Sequence, residues 1–361
     1  MKKIALLQRV LPHVRLEFYE ILSEIIQSKG EISLDVYYGD QKKEEGLNEK
    51  IIDNEHFIKI KNYYLYNNLY YQFIYFKIIN YDCVILEQAI SPIINWLFLI
   101  RKIIGLKTPK VFLWGHGKKF HKVGEHYLLT KIRGWITRNS DWFFGYTTIS
   151  KDALINEGYD ESKISIINNS LHYDLEENNN VKNAGFKNFE IIFCGRLYED
   201  KKIDLIIDSV ELSREINKNI ELILIGDGPE KKRLEKEYSF EWIQFLGAKY
   251  GDEKRRILLN GVLQILPSHI GLSILDCFAY GLPLITSNVE NHCPEVAYFK
   301  HNYNGLISEP NKESIAKSIN SVLDDYEKWK MMSINAITTA KNYDVTSMSK
   351  NFYKGLINAT K

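Results

Sequence analysis

The chain has 361 residues, too many for one ordinary hydrophobic core, so two domains are expected. Its 45% apolar and 26% charged content is that of a soluble globular protein, and a net charge of +1 argues against a chain-wide role in binding polyanions. The four cysteines (Cys83, Cys194, Cys277 and Cys293) have no CxxC spacing and no HExxH-type histidine pair beside them. They read as buried thiols of a reducing compartment, and no metal site is expected. Met1-Lys2-Lys3 leads into only a short apolar run before Gln8-Arg9, so no secretory signal is expected. The apolar stretch Ile90–Ile100 is broken by Ser91, Pro92 and Asn95 and falls short of the ~20 residues of a membrane span. The expectation is a cytoplasmic protein, peripheral to a membrane at most.

Short apolar runs alternate with longer helical patterns from end to end. Strands are expected first at Ile4–Leu7, Ser33–Tyr38, Cys83–Leu86, Val111–Trp114, Trp142–Tyr146 and Ile164–Ile167. A second series follows at Ile191–Cys194, Glu221–Ile225, Ile243–Phe245, Val262–Leu266, Leu284–Thr286 and Gly305–Ile307. Buried strands of this length separated by helices predict parallel βαβ units, and two such series predict two doubly wound α/β domains. The polar stretch from Asp174 to Gly185 has no periodicity and marks the linker. Domains are therefore placed at 1–175 and 189–340, with a linker at 176–188. A C-terminal helix at 341–361 is expected to pack back on the first domain. Terminal helices are expected at Lys312–Leu323 and Val345–Ala359.

Residues 267–286 read as a strand end, a glycine turn, a helix bearing Asp276, and a second glycine turn into another buried strand. Such a unit presents a helix N-terminus with free backbone N–H groups to an anionic ligand at the carboxyl edge of a parallel sheet. A plain βαβ crossover with a stray aspartate is the alternative. Phe193-Cys-Gly-Arg-Leu197 ends a strand at Gly195, and Tyr198-Glu-Asp-Lys-Lys202 leads into a helix from Ile203 to Arg214. Arg196 and Lys201 thus share one loop at the edge where open α/β sheets bind ligands. Two fixed cations there suit a diphosphate, arginine by paired N–H groups and lysine as a point charge. A solvated loop with ordinary surface charges is the alternative. The turn Ile225-Gly-Asp-Gly-Pro229, with Gly226, reads as mainly structural beside the same site. His292, before the helix start Pro294-Glu295, reads as a loop histidine or a substrate contact.

Six blocks in order then carry a resemblance: Gly195-Arg-Leu with Lys201, Ile225-Gly-Asp-Gly-Pro, Phe245-Leu-Gly, Gly271 to Pro283, Pro294-Glu-Val and Asn304-Gly-Leu. From about residue 191 to 310 the chain resembles the retaining GT-B glycosyltransferases of family four, the glycosyl transferases group 1. The resemblance implies the GT-B fold, two Rossmann-like domains facing a central cleft. It implies transfer of a hexose or N-acetylhexosamine-type sugar from a nucleotide diphosphate sugar, a UDP-sugar favoured, without a metal or other cofactor. The acceptor would be a glycan or a polyprenyl-diphosphate-linked glycan of cell-surface polysaccharide, either lipopolysaccharide O-antigen or capsule. Arg196 and Lys201 would stabilise the leaving diphosphate, and Asp276 would bind ribose hydroxyls in place of the family's second glutamate. Ser268 falls where the family has its first glutamate, and a serine cannot supply that charge; either the neighbouring His269 takes part of the role, or the donor sugar is held differently, or activity is altered. A nucleotide-sugar epimerase and a non-catalytic partner with the same fold are the alternatives.

In the first half, Trp114-Gly-His-Gly117 follows a buried strand, and the resemblance places His116 near the transferred sugar. Arg9, His13 and Arg15, in the first strand-to-helix loop, and Glu87, with Gln88 after it, are acceptor candidates. Between Arg101 and Arg138 basic residues greatly outnumber the single acid, Glu125, and an aromatic-rich segment runs from Tyr63 to Tyr81. This pattern fits an anionic bilayer surface or a lipid diphosphate acceptor, and a solvated basic face is the alternative. No nucleic-acid recognition module is visible.

Overall fold

The structure is a computed structural model that describes residues 1–40, 54–65, 69–118, 127–173 and 189–361. It divides into two compact units, Met1–His172 with Val345–Lys361, and Tyr173–Asp344. The linker expected at 176–188 lies outside the described residues, as do Lys119, Lys122, Glu125 and the side chain of His13.

The first unit runs β1 (Lys2–Gln8), α1 (Leu16–Lys29), β2 (Ile32–Gly39), β3 (Phe57–Ile60), β4 (Asn62–Tyr64), β5 (Tyr70–Gln72), α2 (Tyr75–Ile78), β6 (Cys83–Glu87), α3 (Ile93–Ile103), β7 (Lys110–Gly115), α4 (Tyr127–Arg138), β8 (Trp142–Gly145), α5 (Thr148–Asn156) and β9 (Ile164–Ile166). Its seven-stranded sheet has the order β3-β2-β1-β6-β7-β8-β9, and every neighbour pair is parallel. Alternate residues serve opposite faces, as the pleat requires. Ile4, Leu6, Ile85, Phe112 and Trp114 pack toward α1, while Ala5, Leu7, Leu86, Val111 and Leu113 pack toward α2, α3, α4 and α5. All six strands expected in this half are present. The short β3, β4 and β5 were not foreseen, because Phe-Ile-Lys-Ile, Asn-Tyr-Tyr and Tyr-Tyr-Gln are not the unbroken apolar runs that mark the other strands.

The second unit runs β10 (Phe189–Cys194), α6 (Ile203–Arg214), β11 (Ile220–Ile225), α7 (Lys231–Glu237), β12 (Ile243–Gly247), α8 (Gly251–Asn260), β13 (Leu263–Ile265), α9 (Ser273–Ala279), β14 (Leu284–Ser287), β15 (Gly305–Ser308), α10 (Lys312–Leu323) and α11 (Tyr326–Asn342). Its six parallel strands have the order β12-β11-β10-β13-β14-β15. In each sheet the chain winds outward one way, then restarts beside the first strand and winds the other way. The reversal lies between β1 and β6 in the first sheet and between β10 and β13 in the second. Helices leave these two strands toward opposite faces, which opens a crevice at their carboxyl ends.

The helix α11 was not expected. It belongs to the second unit, where the Tyr173 hydroxyl donates to the carbonyls of Ala340 and Tyr343 at 2.8 and 2.9 Å. The terminal helix α12 (Val345–Thr360) starts at Val345, where its helical pattern was expected to begin, and packs beside α1 in the first unit, while residues 341–344 belong to the second. Phe352 is its fully buried centre, stacked on Phe144 at 4.5 Å and edge-on to Phe18 and Trp114 at 5.4 and 5.0 Å. Phe352→Ala should leave a cavity and destabilise the first unit by about 3–5 kcal/mol. Urea unfolding should show an earlier step for that unit, with the second unit's step unmoved. An unchanged profile would contradict this packing account.

Candidate functional site

In the second unit the turn after β10 is built against the loop after β11. Gly195 donates its N–H to Ile225 O at 2.9 Å, and Leu197 donates to Asp227 O at 2.9 Å. Gly226 has φ of +152°, and a Cβ there would fall 1.7 Å from Gly195 O. Only glycine fits so close an approach. Gly226 is thus a brace for the turn that carries Arg196, and the Gly195 N–H is already bonded within the protein. Arg196 is exposed, and its guanidinium donates to the Tyr198 hydroxyl at 3.2 Å.

The next turn positions Lys201. Glu199–Lys201 is a single 3-10 turn, and Lys202 at φ of +55° redirects the chain into α6. The Lys201 ammonium donates to the backbone carbonyl of His269, in the loop that leaves β13. This bond spans the reversal point of the sheet. Burial lowers the Lys201 pKa, because a desolvated ammonium loses hydration that the carbonyl replaces only in part.

The loop after β13 is clipped residue by residue to the segment after β14. Ser268 is buried and its hydroxyl accepts from Asn291 Nδ2 at 2.9 Å. His269 is buried at φ of +58°, an uncommon backbone for a residue other than glycine. Its Nδ1 lies 2.8 Å from Asn291 O and its Nε2 3.3 Å from Asp200 Oδ2. His292 Nδ1 accepts the Ile270 N–H at 3.2 Å while its Nε2 faces Ser287 O at 2.8 Å. That pair of bonds fixes the Nε2–H tautomer. His292 is therefore a structural pin of the loop. A side chain added at Gly271 would meet nothing within 4 Å, so the backbone there is open to approach. The first turn bonds run from Ile274 to Gly271 O and from Leu275 to Leu272 O, which leaves the N–H groups of Gly271 and Leu272 ahead of the helix ladder.

Asp276, on α9, is buried and pairs with Lys254 of α8 at 2.9 Å. Burial raises the Asp276 carboxyl pKa, and the Lys254 charge opposes that rise. Burial also works against the Lys254 ammonium, but Asp276 outweighs it and the lysine pKa is raised. The sequence reading missed Lys254, since no motif marks a lysine that meets its partner only through tertiary packing. It likewise missed Asp200 and Asn291. Among the described residues no group of three or more His, Cys, Asp or Glu could hold a metal ion.

The first unit gathers its predicted residues at the matching edge. Arg9 donates its N–H to Glu87 Oε1 at 2.9 Å across the β1/β6 reversal, and its guanidinium reaches the Tyr64 hydroxyl at 3.2 Å. Burial raises the Glu87 pKa, and the Arg9 N–H opposes it. Asn62 and Gln72 are buried beside them, with Gln72 Nε2 on Gln8 O at 3.0 Å and Asn62 Nδ2 on Arg9 O at 2.7 Å. Gln88 clamps the His116 loop: its amide accepts from Gly117 N–H at 2.9 Å and donates to Gly117 O at 2.8 Å. The His116 and Tyr146 rings are 4.6 Å apart, and the Arg15 guanidinium lies 5.8 Å over the same Tyr146. Arg15 also donates to Ser170 O at 3.0 Å and to the Asn169 side chain, so its guanidinium is engaged within the unit's own fold.

The pinned histidine makes a pH prediction. Burial lowers the His292 pKa from its ordinary value of 6.5. Below about pH 6.5 the unfolded chain binds a proton there that the folded chain refuses, so stability falls as pH drops through that value. His292→Gln keeps one acceptor and one donor but does not titrate. Melting temperatures at pH 7.5 and 5.5 should fall further on acidification for the parent than for the variant. Equal falls would show that His292 does not carry the effect.

Residues 174–339 match the family model described as glycosyl transferases group 1. The sulfoquinovosyl transferase of Arabidopsis thaliana is 23% identical over 204 residues, which is 55% of this chain and 38% of that protein. The O-antigen biosynthesis glycosyltransferase WbnH of Escherichia coli is 26% identical over 230 residues, 62% of this chain and 60% of that protein. The matched regions thus span less than two thirds of either relative. The crystal structure of Anabaena HepE in complex with UDP superposes with a TM-score of 0.73 at 16% identity, covering 99% of this chain and 100% of that one. The fold is therefore GT-B, and residues 174–339 match the family model of the glycosyl transferases group 1.

Proposed function

We propose that this chain is a retaining glycosyltransferase that moves a hexose or N-acetylhexosamine-type sugar from a nucleotide diphosphate sugar to a glycan or lipid-linked glycan. A UDP-sugar is the favoured donor, and assembly of cell-surface polysaccharide on the cytoplasmic side of the membrane is the favoured setting. The observation that carries the reading is Lys201, a desolvated ammonium held on the His269 carbonyl at the β10/β13 reversal point. The family match and the names of the relatives support it: WbnH is described as an O-antigen biosynthesis glycosyltransferase, and HepE was solved with UDP.

In this reading the diphosphate lies against Lys201 and the backbone of Gly271 and Leu272, with Arg196 closing on it from the exposed turn. Cleavage of the bond from the anomeric carbon to the diphosphate oxygen leaves the electron pair on the diphosphate. Charge develops there, and fixed cations stabilise it most in the transition state. Those two cations do the work a metal ion does elsewhere, so no metal is invoked. Asp276, held by Lys254, takes the ribose hydroxyls. Ser268 offers a hydroxyl and no charge where relatives place a glutamate, so the sugar meets the Ser268–His269 edge instead. In the first unit we assign Arg9 and Glu87 to the acceptor and His116 to the transferred sugar.

Arg196→Ala and Lys201→Ala should each lower sugar transfer from a UDP-sugar by about a hundredfold to a thousandfold. Circular dichroism should show both variants folded. Parental rates in either variant would refute the assignment, and donor isomerisation without transfer would point to an epimerase instead.

A further inference from the structure

We propose that the outer face of α2, α3 and α4 in the first unit docks on an anionic lipid bilayer. The proposal stands on a surface remote in sequence from the donor loops and does not depend on how they are read.

These helices cover one face of the first sheet and turn Ile78, Phe98, Leu99 and Ile136 inward. Their other sides carry large apolar side chains that are exposed among the described residues. Phe76 is 84% exposed, Tyr127 73% and Leu128 66%, and Ile100 and Ile103 on α3 and Ile104 just past its end are exposed as well. The β4–β5 hairpin adds Phe73, 73% exposed and edge-on to Tyr63 and Tyr71, each at 4.8 Å.

Charge on the same helices has one sign. They bear Lys77, Arg101, Lys102, Lys131, Arg133 and Arg138 and no acidic residue, whereas α1 on the opposite sheet face bears Glu17, Glu20 and Glu24. Between α3 and α4 lies a groove of about 700 Å³, lined by the stacked Trp96 and Trp135 with Lys131 and Arg138 beside them. Glu157 is the acid along that groove; burial raises its pKa, and the charges of Arg133 and Arg138 oppose that rise. The Lys131 ammonium lies 4.4 Å over the Tyr127 ring.

Exposed aromatic and aliphatic side chains interleaved with cations match the two layers of a bilayer surface, acyl boundary and anionic headgroups. A two-fold contact with a second copy through this face would bring two surfaces of the same positive sign together, at a repulsive cost. A nucleic acid would use the cations but leave Phe76, Leu128 and Ile104 in water. No helix among the described residues is long and apolar enough to cross a membrane, and the contact proposed is at headgroup depth.

The test is co-sedimentation of the full chain with vesicles of phosphatidylcholine alone and of phosphatidylcholine mixed with phosphatidylglycerol. Binding is expected to the mixed vesicles only, weakened by high salt as surface charges are screened. Lys131→Glu/Arg138→Glu should lower the partition coefficient at least about tenfold. Phe76→Ser should also lower it, while Lys354→Glu on α12 should not. A variant with an altered circular dichroism spectrum is replaced by Leu128→Ser, which sits at a solvent-exposed position. Equal binding to neutral vesicles, parental binding by the charge-reversal variant, or self-association that Phe76→Ser abolishes without any vesicle binding would each overturn the proposal.

Discussion

One hydrogen bond organises the candidate site: the Lys201 ammonium donating to the His269 carbonyl. It joins the loops that leave β10 and β13, the two strands whose helices diverge to opposite faces of the second sheet. Without a tie, those loops would be independent surface segments on either side of a crevice. With it, a cation is held where backbone N–H groups also gather, near Gly271 and Leu272. A lysine that bonds one carbonyl still has further donors to direct at an anion. Its partial desolvation matters as well, since a cation short of hydration gains more from an incoming phosphate than one already in water.

The surrounding structure makes that tie rigid. Gly226 lies so close to Gly195 O that the loop after β11 acts as a wedge under the turn carrying Arg196. His269 is held in a left-handed backbone by Asn291 O on one ring nitrogen and Asp200 on the other. His292 pins the next residue, Ile270, through its main chain. Asp276 is seated by Lys254 from a separate helix. Each loop residue is thus fixed by partners within the second unit, so the geometry exists before a ligand arrives. Pre-organisation of this kind is what electrostatic stabilisation requires.

Much of this could be read from residues alone, for identifiable reasons. Parallel strands buried on both faces are near-continuous apolar runs, so β10, β11 and β13 announce themselves, and glycines mark their ends. Arg196 and Lys201 were legible because they share a short loop at such an end. Lys254 was not, because its partner Asp276 is 22 residues away along the chain and no local pattern links them. Gln88 as the clamp of the His116 loop, and Arg15 as an anchor for Ser170 and Asn169, depend equally on long-range packing. The strands β3, β4 and β5 were hidden because they are not unbroken apolar runs, and the aromatic-rich segment from Tyr63 to Tyr81 did not show that it holds part of the paired strands β4 and β5 and the helix α2.

The central claim is that the crevice between β10 and β13 seats the diphosphate of a nucleotide. Hydrogen exchange of the full chain, with and without saturating UDP, tests it most directly. The account predicts slowed exchange at residues 195–202 and 268–276, with the amides of Gly271 and Leu272 among those protected. UDP binding that leaves both segments unprotected, or that protects other segments instead, would contradict it.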